Sequence, residues 1–287
     1  MRRAKVRGRD HSFSGDMTKA ELIDHLKTAQ VHPGQHVSEP VKLRGRLFWG
    51  QPISVVLPEV VSSHIVKDGY HELLETILLI NLLKPGMVFF DVGAHIGYFS
   101  LLASQLVEKE GRVHSFEPTP STFELLQENS EGLSNIRLNN MAVYSHSTEL
   151  EITDCGLLNS AFNSLFAPRV APQFQHMLGH AKHRVQTISI DEYVRNTGVA
   201  PNFIKIDAES AEYDIIEGMR ETLAVWRPMF SIEVGDMDIE EVRSSRDIVN
   251  FARSFGYEAY DFNGQELKPH QVQEKYEIAT ILFMPRG

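Results

Sequence analysis

Cysteine is almost missing from this chain: its 287 residues carry one, Cys155. A disulfide framework is thereby excluded, and so is a thiolate zinc site, because both need several sulfurs. A reducing, cytoplasmic setting is the expectation. Long apolar runs are missing too. The most apolar window, residues 77–83, is interrupted by Asn81 and is far shorter than the roughly 20 residues that span a bilayer. The basic start (Arg2, Arg3, Lys5, Arg7, Arg9) runs into polar residues 11–16 instead of an apolar segment, unlike a secretory leader. Cations are scarce: 28 Lys and Arg face 38 Asp and Glu, a net charge of −10. Five of those cations crowd the first nine residues, so the body is more acidic still. Such a body repels phosphate backbones, so no nucleic-acid partner is expected, and no membrane partner either.

What is present suffices for a core, with 42% hydrophobic and 23% charged residues. Residues 1–16 read as a disordered basic arm and 17–84 as an extension covering the active site. Residues 85–287 read as the main domain, with a substrate-loop insertion at about 155–184. In the extension, Thr18 and Glu21 resemble a capping box that opens a helix over 19–28. That helix could serve a homodimer or cover the site. Residues 44–56 look extended, and 72–83 form an apolar-rich helix closed by Lys84-Pro85-Gly86.

From Met87 the rhythm changes. Short apolar strands are expected at 87–92, 112–117, 136–143, 185–190, 203–207 and 229–234, then at 257–262 and 278–283. Residues 149–153 alternate as an edge strand would. Helices are expected at 98–107, 120–129, 211–223 and 244–255. The alternation predicts right-handed βαβ units and a mostly parallel α/β sheet covered on both faces. Trp49 and Trp226 read as packing residues.

Ligands of such sheets sit beyond the carboxyl ends of the strands, at the switch in strand order. The first strand there ends in Asp91-Val92-Gly93-Ala94-His95-Ile96-Gly97. Gly93 and Gly97 allow a tight turn and close approach of a ligand. The dinucleotide pattern G-x-G-x-x-G is absent, which disfavours a dinucleotide oxidoreductase. Asp91 suits a ligand bearing an ammonium and a sulfonium, as S-adenosylmethionine (SAM) does. The second strand ends in Phe116-Glu117-Pro118, where an acid can accept both ribose hydroxyls. The fourth delivers Asp207, Glu209 and Glu212 on one turn, and the fifth Glu233. Glu212 is as well explained by its helix terminus as by chemistry.

The runs Phe90–Ser100, Phe116–Pro118 and Ile204–Asp214 resemble the FkbM family of SAM-dependent methyltransferases, over about residues 69–285. The resemblance implies a class I methyltransferase (Rossmann-like) fold whose seventh strand is antiparallel, and O-methylation of hydroxyls in sugars or polyketide-type natural products. It implies that Asp91, Gly93 and Gly97 shape the methionine side of the cofactor pocket, with His95, Tyr98 and Pro118 in the same binding set. Glu117 would hold the ribose and Ala142 would lie by the adenine. Asp207 and Glu209 would face the transferring methyl. The family usually has Gly where Ser210 stands and often Asn where His95 stands.

A hydroxyl acceptor needs a base or a metal. Candidate catalytic groups are Asp207, Glu209, Glu233, His95, His180 and His183. His176, His180 and His183 would share one face if helical. Asp207, Glu209 and Glu233 are also an oxygen-ligand set for Mg²⁺, a less favoured reading because converging carboxylates occur in metal-free pockets. Against a small-molecule O-methyltransferase stand an N-methyltransferase acting on an amine and a catalytically silent binding protein. The (N/D)-P-P-(Y/F) turn of nucleic-acid amino-methylases is replaced here by Asp207-Ala208-Glu209-Ser210.

Overall fold

A computed structural model describes residues 40–167, 178, 181–239 and 241–287. The expected basic arm, the helix at 19–28, His176 and His180 lie outside the described residues. The chain divides into two compact units between His71 and Glu72.

In the first unit, β1 (Val41–Arg46) and β2 (Pro52–Leu57) pair as an antiparallel hairpin with Leu43 opposite Val55. Helix α1 (Val60–Asp68) starts where the Glu59 carboxylate accepts from the N–H groups of Val61 and Ser62, satisfying two of the orphan donors of a helix start. It stops at Gly69, left-handed at φ 76°.

The second unit opens with α2 (Leu73–Leu82). Strand β3 (Val88–Val92), helix α3 (Tyr98–Val107), strand β4 (Arg112–Phe116), helix α4 (Pro120–Asn129) and strand β5 (Ile136–Asn139) follow as βαβ units. The chain then leaves the central sheet. Strands β6 (Ala142–Val143), β7 (Glu149–Asp154) and β8 (Ala181–Ile188) form a separate three-stranded sheet in the order β6-β8-β7. It returns through α5 (Ile190–Thr197) to β9 (Phe203–Ile206), α6 (Glu212–Glu217) and β10 (Met229–Val234). Helix α7 (Ser245–Ser254), β11 (Tyr257–Phe262), β12 (Leu267–Pro269) and β13 (Ala279–Pro285) complete it.

The central sheet runs β12-β11-β13-β10-β9-β3-β4-β5. Neighbours from β10 to β5 are parallel, while β13 is antiparallel to both β10 and β11. An edge strand not expected from the sequence, β12, makes eight. Its core is continuous and aromatic at the centre, where Phe90, Phe116 and Tyr193 meet with ring centroids 4.8–5.8 Å apart.

Several expectations are corrected. Residues 136–143 are not one strand: Asn139 and Asn140 donate from their side chains to carbonyls of Ser115, Glu117 and Pro118, and the chain peels off the central sheet there. The strand expected at 185–190 belongs to the side sheet, with Ile190 already helical. The helix expected over 211–223 breaks at Gly218, whose backbone packs so closely on Tyr144 that a Cβ would stand 2.5 Å from its carbonyl oxygen. Trp226 does not pack; it is 55% exposed at the end of a π-helical segment, Thr222–Trp226.

Candidate active site

The strand order changes direction between β3 and β9, whose ends pair in register, Asp91 with Lys205 and Val92 with Ile206. The two loops that emerge there touch. A Cβ on Gly93, which is left-handed at φ 77°, would stand 1.8 Å from the Asp207 carbonyl oxygen, so only glycine fits. The next residues of this turn hold to β4: the N–H groups of Gly93 and Ala94 both donate to the Phe116 carbonyl. Gly97, at φ 97°, turns the chain into α3.

Asp91 is fully buried. Its Oδ2 accepts from Ser100 Oγ at 2.6 Å, and its Oδ1 has no hydrogen-bond partner among the described residues. Burial raises its pKa, against the pull of Lys205 and Ser100. A buried acceptor without a donor is costly, and a ligand ammonium would satisfy it. The Asp91 carboxylate therefore fits the cofactor expected from the sequence.

Glu117 is held from three sides. Its Oε2 accepts from the His95 N–H (2.9 Å), and its Oε1 from the Thr119 N–H (2.9 Å) and Thr122 Oγ1 (2.8 Å). It thus ties the glycine turn to the loop after β4, with a carboxylate's remaining acceptor capacity for a ribose. Pro118 is tied in through its carbonyl, which accepts from Asn140 Nδ2. Ala142 lies in β6, buried beside Ile152 and Val185. Tyr98 is buried and shares a hydrogen bond with Thr76 (2.9 Å).

Asp207, Glu209 and Glu233 come together as expected. One carboxylate oxygen of each lies within 4.8 Å of the others, at the ends of β9 and β10. Glu209 and Ser210 carry positive φ angles, 48° and 89°, so the loop keeps glycine-like geometry although serine occupies that position. Glu212 is a structural cap: its Oε1 accepts from the N–H groups of Ala208 and Ser210, both at 3.2 Å. The trio could hold a divalent ion through oxygen, or face a cationic ligand.

The histidines part company. His95 sits at φ 50° and shares a 2.7 Å hydrogen bond with Ser160, the first link between the glycine turn and the insertion. His183 is on β8, not on a helix, and its Nε2 lies 3.1 Å from Asp154. Two more links bind the insertion to the site, from Asn163 to Thr119 and from Ser164 to the Glu209 carbonyl. Burial, then the charges of Asp154 and Glu209, push the Cys155 thiol up to about 11, so it stays protonated and inert.

Lys205 escaped the sequence reading, whereas Glu75, with Tyr70, His71 and Glu72, was open between a segment folded over the active site and an ordinary amphipathic helix. Lys205 is buried in mid-strand, with Nζ 3.1 Å from Asp207 and 4.9 Å from the Phe99 ring centroid. Burial alone would lower its pKa, but Asp207 and Asp91 outweigh it and raise the pKa above the ordinary lysine value. A lone lysine in an otherwise apolar strand was the available signal. Glu75, on α2, is buried with Oε1 accepting from Ser231 Oγ (2.6 Å) and Oε2 without a partner among the described residues. Burial pushes its pKa up to about 7.

In order of appearance in the chain, the seven core strands lie as 3-2-1-4-5-7-6 with the seventh antiparallel. With ligand-facing loops at the switch point, this is the class I methyltransferase fold. The chain belongs to the family described as the methyltransferase FkbM domain, whose model matches residues 91–259. It is 30% identical over 149 residues to a hexuronic acid methyltransferase, AglP, of Haloferax volcanii, across 51% of this chain and 55% of that protein. It is 29% identical over 118 residues to a protein-L-isoaspartate O-methyltransferase of Aeropyrum pernix, 41% of each. The chain therefore spans about half the length of the curated relatives it matches. Among solved structures, the methyltransferase FkbM of Methylobacillus flagellatus is similar at 16% identity and a TM-score of 0.46, over 78% of this chain and 53% of that one. Among the described residues, no helix is long and apolar enough to cross a membrane.

Proposed function

We propose that this protein is a SAM-dependent O-methyltransferase whose acceptor is a hydroxyl of a small, sugar-type molecule. The observation that carries the reading is the convergence of Asp207, Glu209 and Glu233 within 4.8 Å at the ends of adjacent strands, beside the turn that leaves Asp91 Oδ1 unmatched. SAM, when bound, supplies an electrophilic methyl on a cationic sulfur. Asp91 would accept from its ammonium and Glu117 from its ribose. The acidic trio stabilises positive charge at the strand ends and lowers the cost of desolvating it. A hydroxyl is a weak nucleophile, so a base must take its proton as it attacks. Glu209 and Glu233 fill that role, each half-buried and reachable from the mouth of the sheet. His95 and His183 are oriented instead by Ser160 and Asp154. The chain's further contribution is alignment of acceptor and donor. The FkbM family and the hexuronic acid activity of the Haloferax relative support a sugar acceptor.

The test is release of S-adenosylhomocysteine from SAM with a panel of glycosides and amines. Turnover with a glycoside hydroxyl, lost in Glu233→Gln or Glu209→Gln while calorimetric SAM binding persists, is the expected result. Turnover with amines alone would overturn the oxygen assignment, and an absence of SAM binding would overturn the whole reading.

A further inference from the structure

A cavity of about 210 Å³ opens beside Ser210 and Gly235, next to the acidic trio in the chain on both strands. It is smaller than the roughly 300–1,000 Å³ of a drug-sized site, so it suits one end of an acceptor. Its acids are already engaged. Asp236 accepts from the N–H groups of Ser245 and Tyr276, both at 2.8 Å, Asp238 pairs with Lys275, and Glu274 pairs with Arg246. Its one arginine is ion-paired through Nε alone. Arg243 makes a 3.5 Å contact through Nε with Asp247 and lies with its guanidinium carbon 4.8 Å from the Tyr213 ring centroid. Its two terminal nitrogens have no hydrogen-bond partner among the described residues. The ring beneath the guanidinium holds it in place and leaves its two terminal nitrogens for a ligand. The amino-terminal end of α7, at Ser244, lines the same cavity and adds partial positive charge.

We infer that this cavity is an anion subsite in which Arg243 binds a carboxylate of the acceptor, so that the substrate class is an acidic sugar of the uronic acid kind. The inference rests on the methyltransferase reading above and deepens it. Planar carboxylates match the guanidinium fork through two parallel hydrogen bonds, a geometry that a neutral hydroxymethyl group does not offer. Ser210 and Gly235, which line the cavity, lie one and two residues along the chain from Glu209 and Glu233, so an acceptor held there is beside the acidic trio. Asp236, Asp238 and Glu274 are each held by donors of the protein, so Arg243 is the group left to meet an entering anion.

The experiment uses the full chain with S-adenosylhomocysteine present and two probes, methyl glucuronoside and methyl glucoside. Binding is followed by ligand-observed NMR, and methyl transfer from SAM is followed separately. The glucuronoside is expected to bind at least about tenfold more tightly than the glucoside, and Arg243→Gln is expected to abolish the difference while S-adenosylhomocysteine affinity stays unchanged. Equal binding of the two probes, or a preference that survives in Arg243→Gln, overturns the subsite. Should neither probe be methylated, the binding arm still decides the subsite, and the catalytic reading fails on its own. Unchanged S-adenosylhomocysteine affinity shows that a loss in the variant is not misfolding.

Discussion

Lys205 places its ammonium 3.1 Å from the Asp207 carboxylate, inside a strand that is otherwise apolar and closed to water. Lys205 lies inside β9 and Asp207 directly after its last residue, so the end of the strand presents Asp207 to the pocket and supplies its counter-charge from behind. Removing the cation would leave Asp207 and the buried Asp91 facing each other across two paired strands. Lys205→Met is therefore expected to destabilise the protein by roughly 3–5 kcal/mol, as breaking buried pairs generally does. Urea denaturation measures this, and a loss below about 1 kcal/mol would show the pair to be incidental.

Ser210 adopts φ 89° without the freedom of glycine. Non-glycine residues in left-handed conformations cost on the order of 1–2 kcal/mol, partly offset by glycine's larger unfolded-state entropy. Ser210→Gly should stabilise the fold by about 0.5–1 kcal/mol in thermal or denaturant unfolding. Destabilisation would mean that the serine hydroxyl contributes more than the backbone strain removes.

Glu75 makes stability depend on pH. Its folded pKa of about 7 lies above the ordinary value of 4.5, so between these pH values the folded state holds a proton that the unfolded state has released. Stability from this group is present below about 4.5 and is lost as pH rises through 7. The span corresponds to roughly 3 kcal/mol. Glu75→Gln is expected to flatten the fall in stability between pH 5 and 8. A slope unchanged by the substitution sinks the assignment.

Asp91→Asn and Glu117→Ala should each weaken SAM binding about tenfold or more by calorimetry, since each removes a charged acceptor. Glu117→Ala should also lower the melting temperature, because three donors lose their partner. Asp91→Asn should not, since it relieves a buried charge.

Methyl transfer is expected to survive EDTA. A divalent ion on the acidic trio would share Asp207 with the buried Lys205 ammonium, whose charge opposes it. Loss of turnover with EDTA and its restoration by Mg²⁺ would assign the trio to a metal instead.

Much of this was legible in the chain. Parallel strands buried on both faces are short, nearly continuous apolar runs, so β3, β4, β9 and β10 stand out, and their ends carry Asp91, Glu117, Asp207 and Glu233. The side sheet did not stand out, because the apolar part of β8 looks like a core strand when only its own residues are read. What separates them is Asn139 and Asn140, whose amides cap the ends of neighbouring strands. Glu212 was left open between its helix terminus and chemistry, and the loop geometry decides for the former, with Oε1 serving two backbone N–H groups. Arg243 had no motif around it at all; its position depends on the ring of Tyr213, far off in sequence.

The insertion leaves β7 after Asp154 and re-enters β8 at Ala181, and these two residues face each other as the last rung of the side sheet. Departure and return therefore share one point on a frame that the central sheet does not need for closure. With both ends clamped, a change in the length of the joining segment costs only the small entropy of a longer loop, provided Ser160, Asn163 and Ser164 keep their bonds to His95, Thr119 and Glu209. The side sheet is thus a socket: its last rung, Asp154 opposite Ala181, holds both ends of the segment that joins them, while the central sheet is built without it.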